Sequence, residues 1–358
     1  MKPLVLSMLL VSSCVAAFLT GLGPDLLTQP LVAYFEQAGL PRSASAVSTA
    51  IVPVMRFIST LIAGQLSSPA FHSRRLRTAV LVFAALGILG FILPLALPKS
   101  VTAWIVGHAC FGMSEQLPYL QVVLVRDDLR IPEQTRRRST SLLWAFYMFG
   151  TACAFPCSGV LIARYSMKAV LWFGIACQSA LALALCVVMT AESSLQRTAR
   201  GVRTDSAPEP PERGLSCGSE GGEGAEGGEG AGGGEGTEGG ELKGCDLKLR
   251  IYACFAVTLC LMGHMRGVVT VGSSFLYANE FGVSAEFGGW LSFGAFTLGM
   301  IIALFVRSCY VQVPLDAFGA LLLSVPGTIL YASSSLYAIA IGETMCIVSY
   351  VCGVGTMC

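Results

Sequence analysis

The sequence predicts an all-α polytopic membrane protein, on three observations: the composition, the length of the apolar segments and the distribution of positive charge. Hydrophobic residues make up 54% of the 358 residues, and charged residues only 13%. A soluble domain carries about 25% charged residues. A water-soluble chain of this size could not bury so large an apolar excess in its core. The composition therefore predicts a protein whose surface lies largely in lipid.

The apolar segments have the length that a membrane requires, since a helix needs about 20 apolar residues to cross the hydrocarbon. By this criterion the chain contains about ten candidate spans. They cover residues 4–35, 46–66, 77–97, 101–125, 141–163, 168–190, 250–278, 287–306, 314–332 and 336–357. The first resembles a signal peptide in its flanks, but its apolar run continues past Pro24 without a cleavage-like site. We therefore expect a retained first span.

Positive charges predict the orientation of the spans. With the N-terminus in the cytoplasm, the outer loops contain only a few cationic residues, namely Arg42, Lys99, Arg164 and Lys168. Most other Lys and Arg residues then fall in cytoplasmic segments, as the positive-inside rule requires. The sequence thus predicts a multi-pass protein with a cytoplasmic N-terminus and a long cytoplasmic loop after the sixth span.

That loop, residues 192–247, divides the chain. Its central part, 218–241, consists almost entirely of Gly and Glu. Such a composition cannot bury enough apolar surface to offset chain entropy, which predicts a disordered linker. The linker separates an N-terminal six-span bundle, 1–191, from a C-terminal bundle of about four spans, 248–358.

The two bundles resemble each other locally. Residues 34–39 (YFEQAG) precede the second span and residues 277–282 (YANEFG) precede the eighth, at corresponding places in each part. Gly107 in the fourth span and Gly342 in the tenth fit the same register. Parallel repeats joined by a cytoplasmic loop are one plan on which transporters are built.

Three local motifs accompany this plan. They are Gly64-Gln-Leu-Ser-Ser with Arg74 and Arg75 after the second span, Asp127-Asp128 with Pro132 and Arg136-Arg137-Arg138 after the fourth, and Gly150 with Pro156 in the fifth. Together with the topology they resemble the major facilitator superfamily. The first motif departs from the family pattern, because Ser68 stands where the family has Asp. The resemblance implies a gating loop at Gly64, Arg74 and Arg75, and a twelve-span plan of which the C-terminal bundle here is incomplete.

The candidate functional residues are the ionisable residues inside the spans. A charge in the bilayer is energetically unfavourable, so such residues are normally paired or retained for a function. They are Asp25, Arg56, Glu115, His264, Arg266 and Glu343. Asp25 and Arg56 each lie ten residues from the outer end of their spans, at a depth of about 15 Å. Equal depth allows an ion pair, either a structural one or one that solute or a proton breaks.

Each of the other candidate residues also has both a functional and a structural interpretation. Glu115 lies in the fourth span, which lines the central cavity in the family that the chain resembles; it could carry a proton or make a contact between helices. Arg266 offers a fixed positive charge for an anionic group, whereas His264 could titrate near neutral pH or simply pack. Two residues apart, they point to different faces of a helix, so at most one should face the cavity.

Several other classes of protein are disfavoured. The chain has no Cys/His spacing typical of a metal site, no cofactor motif, and a net charge of +1 that argues against a nucleic-acid binder. No nucleophile–base arrangement indicates an enzyme. The sequence predicts a monomeric secondary transporter for a small solute, with proton coupling as a hypothesis. The two arginines within spans favour an anion or a zwitterion as the solute, unless Asp25 neutralises Arg56. Residues 25–30 and 106–114 are also similar to the molybdate-anion transporter branch. The alternative is a receptor or scaffold that retains the fold without transporting.

Overall fold

The structure is a computed structural model that describes residues 3–27, 30–66, 73–115, 133–204, 272, 276–277, 280–309 and 313–355. We number its helices in chain order. They are α1 (Pro3–Asp25), α2 (Leu31–Gln37), α3 (Arg42–Leu66), α4 (Ser73–Ala96), α5 (Val101–Ser114), α6 (Glu133–Arg164), α7 (Met167–Thr204), α8 (Ala285–Cys309), α9 (Val313–Tyr331) and α10 (Leu336–Gly355). The described part of the chain is thus built from helices, as predicted.

The prediction of one continuous helix for the first span is wrong. The sequence suggested a continuous span over 4–35, but α1 ends at Asp25 and a second short helix begins at Leu31. Pro30 lies directly before that second helix. Proline has no N–H to donate and disfavours helical backbone in the residue before it. The apolar run is therefore divided between two helices, α1 and α2.

The boundary of the predicted linker also requires correction. Disorder was expected from residue 192, but α7 continues to Thr204. The added segment contains Glu, Leu, Gln, Arg and Ala, which favour helix, and the next proline is Pro208. The Gly/Glu tract, most of the 250–278 span and the end of the 101–125 span lie outside the described residues.

The outer surface of the described helices is apolar. Arg42–Ile62, Thr78–Ala96, Leu142–Arg164, Met167–Val187 and Ala285–Ile302 are each long and apolar enough to cross a membrane. Large apolar side chains point outward from them, among them Trp172 and Leu183, which are 61% and 69% exposed. In water such a surface would promote association. The surface therefore fits a multi-pass membrane protein.

The helices pack as two groups that meet along α6 and α8. In the first group, which we call the first half, α1 packs against α6 and α7, α3 against α5, and α4 against α5 and α7. In the second half, α10 packs against α8 and α9. Side chains from α1, α6, α8 and α10 form one shared core between the halves, including Tyr147, Phe155, Phe296 and Tyr350.

The halves share local structure at the positions that the sequence repeat indicated. Gly39 and Gly282 both have positive φ, 70° and 61°, a conformation that glycine adopts without strain. A Cβ on Gly107 of α5 would lie 2.7 Å from the Gly90 carbonyl oxygen, and one on Gly342 of α10 would lie 2.6 Å from that of Gly327. The same close crossing of helices thus occurs once in each half, which supports the predicted repeat.

Gly39→Ala is expected to lower the free energy of unfolding by about 1 to 2 kcal/mol, the cost of left-handed backbone for a residue with a Cβ. Apart from its chain neighbours, no atom of the part of the chain that the structure describes lies within 4 Å of the position that this Cβ would take, so crowding there would not contribute. Gly39→Asn should be milder, since asparagine adopts this conformation more readily. Thermal unfolding in detergent would measure both, and equal stability of the alanine variant and wild type would contradict the prediction.

Candidate functional site

Arg56 and Glu115 form a buried ion pair between α3 and the residue that follows α5. The distance from Arg56 Nη1 to Glu115 Oε2 is 2.9 Å, and the two side chains are 7% and 0% exposed. Charges removed from water are tolerated when they are paired and hydrogen-bonded. The pair therefore explains how both candidate residues can lie inside an apolar bundle.

Gly112 brings the two helices close enough for this pair to form. A Cβ at Gly112 would contact the Val52 carbonyl oxygen and would lie 2.8 Å from Met55 Cβ and 3.2 Å from the Arg56 backbone nitrogen. Ser59 donates a hydrogen bond to the Arg56 carbonyl oxygen at 2.9 Å and a longer one to the Gly112 carbonyl oxygen at 3.4 Å. These contacts fix the height at which α3 and α5 cross.

Two tyrosines lie near Arg56. Tyr350 of α10 and Tyr147 of α6 are both within electrostatic range of its side chain. Both tyrosines are buried, with 5% and 4% exposure. Arg56 therefore lies where three elements of the first half meet one helix of the second. Neither tyrosine was predicted from the sequence, although a hydroxyl within an apolar span is a signal for a buried hydrogen-bond partner.

The partner found for Arg56 differs from the expected one. Asp25 was proposed as its ion-pair partner on equal depth, whereas the structure gives Arg56 the carboxylate of Glu115. Asp25 is the last residue of α1 and is 2% exposed. Depth along a span sets the height of a residue but not which neighbour its helix faces: α3 packs mainly against α5, and α1 against α6 and α7.

The structure describes only some of the other predicted site residues. His264 and Arg266 lie outside the described residues, so their roles stay predictions. Gly64 lies in the last turn of α3, and Arg74 and Arg75 lie in the first turn of α4. These three therefore flank the connection between α3 and α4, where the gating loop was predicted.

A second buried polar contact lies in the second half. Tyr277 donates a hydrogen bond of 2.8 Å to Glu343 Oε2, and these residues are 1% and 0% exposed. Glu343 was among the ionisable residues singled out in the spans, and Tyr277 opens the repeated segment 277–282. The contact joins α10 to the segment before α8. Within the described residues, each half therefore contains a buried carboxylate with a polar partner from another element.

Comparison with known families identifies the fold to which this arrangement belongs. The model of the family described as MFS_1 like matches residues 29–350, which is most of the chain. The chain belongs to this family. The predicted resemblance to the major facilitator superfamily is thereby confirmed. No curated protein sequence matches the chain significantly.

Solved transporter structures share the fold at low sequence identity. A D-xylose–proton symporter aligns with a TM-score of 0.61 and 12% identity over 98% of this chain and 80% of its own. A peptide transporter of the POT group, bound to alafosfalin, aligns with a TM-score of 0.62 and 13% identity over 96% and 79%. A bacterial homologue of the human lysosomal transporter Spinster, inward-facing and occupied, aligns with 0.55 and 11% over 99% and 74%. Family and fold are thus those of transporters.

Proposed function

We propose that the chain is a secondary transporter that moves a small anionic solute by alternating access between its two halves. One observation carries the proposal: Arg56 of α3 is a buried cation within electrostatic range of Tyr147 on α6 and Tyr350 on α10. Arginine presents five N–H donors in a rigid fork that matches carboxylates and other oxyanions. A fixed charge at the junction of the halves is suited to bind such a group while the halves rock around it.

Glu115 occupies the position that the anion of a solute would take. Its carboxylate oxygen lies 2.9 Å from Arg56 Nη1, the geometry of a charge-assisted hydrogen bond. A solute carboxylate or other oxyanion can bind the same guanidinium only by competing with this internal anion. The affinity for the solute is therefore set by the difference in free energy between two similar ion pairs, that of Arg56 with the solute and that of Arg56 with Glu115. A small difference favours reversible binding.

Charge balance supports proton coupling. The pair of Arg56 and Glu115 is neutral, so a bound monoanion would leave a net negative charge in a buried site. A proton on the displaced Glu115 carboxylate would restore neutrality. Asp25 of α1 and His108 of α5, which donates from Nδ1 to the Trp104 carbonyl oxygen at 2.9 Å, are further buried groups that could carry it. The expected reaction is symport of an anion with a proton.

Uptake into proteoliposomes tests the proposal. Radiolabelled molybdate, sulfate, phosphate, lactate and succinate would be offered with and without an imposed pH gradient, acidic on the outside. We expect the wild type to accumulate at least one of these anions faster with the gradient. Glu115→Gln should transport with little response to the gradient, and Asp25→Asn is the matched comparison.

The outcomes separate the candidates. A folded wild type that moves none of the anions would contradict the proposal and favour the receptor or scaffold alternative. Uptake with the same gradient response in wild type, Glu115→Gln and Asp25→Asn would remove both carboxylates from proton coupling but would leave anion transport in place.

The remaining predictions concern the orientation of this transporter, its gating loop, further contacts with the solute and its oligomeric state. We infer that the N-terminus and the 192–247 region face the cytoplasm and that Gly64, Arg74 and Arg75 flank a cytoplasmic gating loop. Arg266 and His264 are further candidates for contact with the solute from the 250–278 segment. The transporter is expected to act as a monomer in the lipid bilayer, since each half contributes to one central site.

A further inference from the structure

Gln178 of α7 is a buried polar side chain whose amide is unbonded within the part of the chain that the structure describes. The residue is 0% exposed, and neither its Nε2 nor its Oε1 has a hydrogen-bond partner there. A buried amide normally has such partners, because an unbonded donor or acceptor in an apolar interior is unfavourable. The amide of Gln178 therefore does not stabilise the present state of the first half.

The amide lies against two other helices, at a glycine in each. A Cβ on Gly23 of α1 would contact Gln178 Nε2, and a Cβ on Gly87 of α4 would lie 2.6 Å from Gln178 Oε1. Ser114 Cβ, at the end of α5, would lie 3.4 Å from the same Gly87 Cβ. The donor end of the amide thus faces α1, and its acceptor end faces α4 and α5.

The facing turn of α1 contains a proline. Pro24 lies inside this helix and has no N–H, so the usual helical hydrogen bond to the carbonyl oxygen of Thr20, four residues earlier, does not form. The Cβ of a helical residue points toward the preceding turn. Gln178 Nε2, at the Cβ position of Gly23, therefore lies beside the turn that contains Thr20. In membrane helices, groups on neighbouring helices commonly replace a hydrogen bond that proline removes.

We propose that Gln178 is a hinge residue, which donates its amide N–H to the Thr20 carbonyl oxygen when α1 bends at Pro24 during transport. Proline is a common site of helix bending. The hydroxyl of Thr20 favours bending as well, since it donates to the Ala16 carbonyl oxygen at 2.7 Å. The inference rests on the proposed function, because it gives Gln178 a part in alternating access.

The contacts of α1 indicate which part of it would move. A Cβ on Gly21 would contact the Tyr147 carbonyl oxygen of α6, so the two backbones touch just before the proline. The segment beyond Pro24 contains Asp25 and leads into α2. Bending at the proline would therefore move Asp25 and α2 relative to α6. The hydrogen bond from Gln178 would stabilise the bent form and leave the present form less favoured.

Gln178→Leu separates the two states. Leucine removes two unbonded polar atoms from the present state, so the midpoint of thermal unfolding in detergent should rise by about 2 to 5 °C. It also removes the hydrogen bond of the bent state, so the maximal rate of anion uptake in proteoliposomes should fall by about 5- to 10-fold. The KM should change far less, because Arg56 and Glu115 are retained. A merely structural role would alter stability without altering the rate.

Variants of Pro24 test the partner of the amide. Pro24→Ala and Pro24→Gly both restore a backbone N–H for the Thr20 carbonyl oxygen, and glycine also keeps the segment flexible. In either background Gln178→Leu should lower the uptake rate much less than it does in wild type, as expected for coupled residues. Pro94→Ala is the matched control, since Pro94 also lies inside a helix, α4. In that background Gln178→Leu should have its full effect.

Three results would contradict the role of Gln178 and leave the proposed function intact. A wild-type uptake rate in folded Gln178→Leu would exclude a part in transport. A lower unfolding midpoint would show that the amide has a partner in the present state. An equal loss of rate in the Pro24→Ala and Pro94→Ala backgrounds would exclude Thr20 as the acceptor. If neither Pro24 variant transports, the first two results still decide.

Failure of the proposed function gives a different result. A folded wild type that takes up none of molybdate, sulfate, phosphate, lactate and succinate would overturn that function and, with it, the role of Gln178 in transport.

Discussion

Arg56→Ala is expected to abolish anion uptake and to lower the free energy of unfolding by about 3 to 5 kcal/mol, the usual effect of breaking a buried ion pair from one side. The substitution would leave Glu115, whose side chain is fully buried, without the guanidinium that lies 2.9 Å away. Uptake in proteoliposomes and thermal unfolding in detergent measure the two effects separately.

A double-mutant cycle distinguishes binding from stability. Arg56→Ala combined with Glu115→Ala removes both charges, so stability should recover in part compared with Arg56→Ala alone. Uptake should not recover, because no cation remains for the solute. Arg56→Lys keeps the charge without the fork of donors and should retain weak uptake. Normal uptake by a folded Arg56→Ala protein would rule out Arg56 as the anion-binding group.

Gly112→Ala is expected to lower the free energy of unfolding by about 1 to 3 kcal/mol, as overpacking does, and to reduce uptake sharply. The added Cβ would meet Met55 Cβ at 2.8 Å and the Arg56 nitrogen at 3.2 Å. Backbone atoms cannot rotate away, so α3 must shift from α5. That shift would lengthen the contact between Arg56 and Glu115, although neither of them has been changed.

Gly294→Ala is the matched control. Gly294 lies in the middle of α8, and apart from its own helix no atom of the described residues lies within 4 Å of the position that a Cβ would take. Alanine favours helix over glycine by about 1 kcal/mol, so this variant should be as stable as wild type or more stable. If Gly112→Ala behaved like Gly294→Ala in stability and uptake, the close approach of α3 and α5 would not be needed for the site.

The charged residues of the candidate site could be predicted from the sequence, but their arrangement in space could not. Arg56 and Glu115 stand out in the sequence because each is a charge within an apolar span. Their pairing does not, since it depends on which helix α3 faces. The equal depth of Asp25 and Arg56 concerns height alone, and it did not identify Glu115 as a partner of Arg56. Tyr147 and Tyr350 were missed because a tyrosine in a span also has an ordinary apolar role.

The sequence by itself determined the membrane class, the division into two bundles and the places where the repeat appears. These properties follow from composition and from periodic apolar runs, which act locally along the chain. The crossing of α3 and α5 at Gly112, and the proximity of Tyr350 of the second half to Arg56, were decided only by the tertiary structure. Such contacts depend on the rotation of each helix about its axis and on packing between distant segments. The sequence shows that a charge within an apolar span needs a partner. Only the fold shows which residue that partner is.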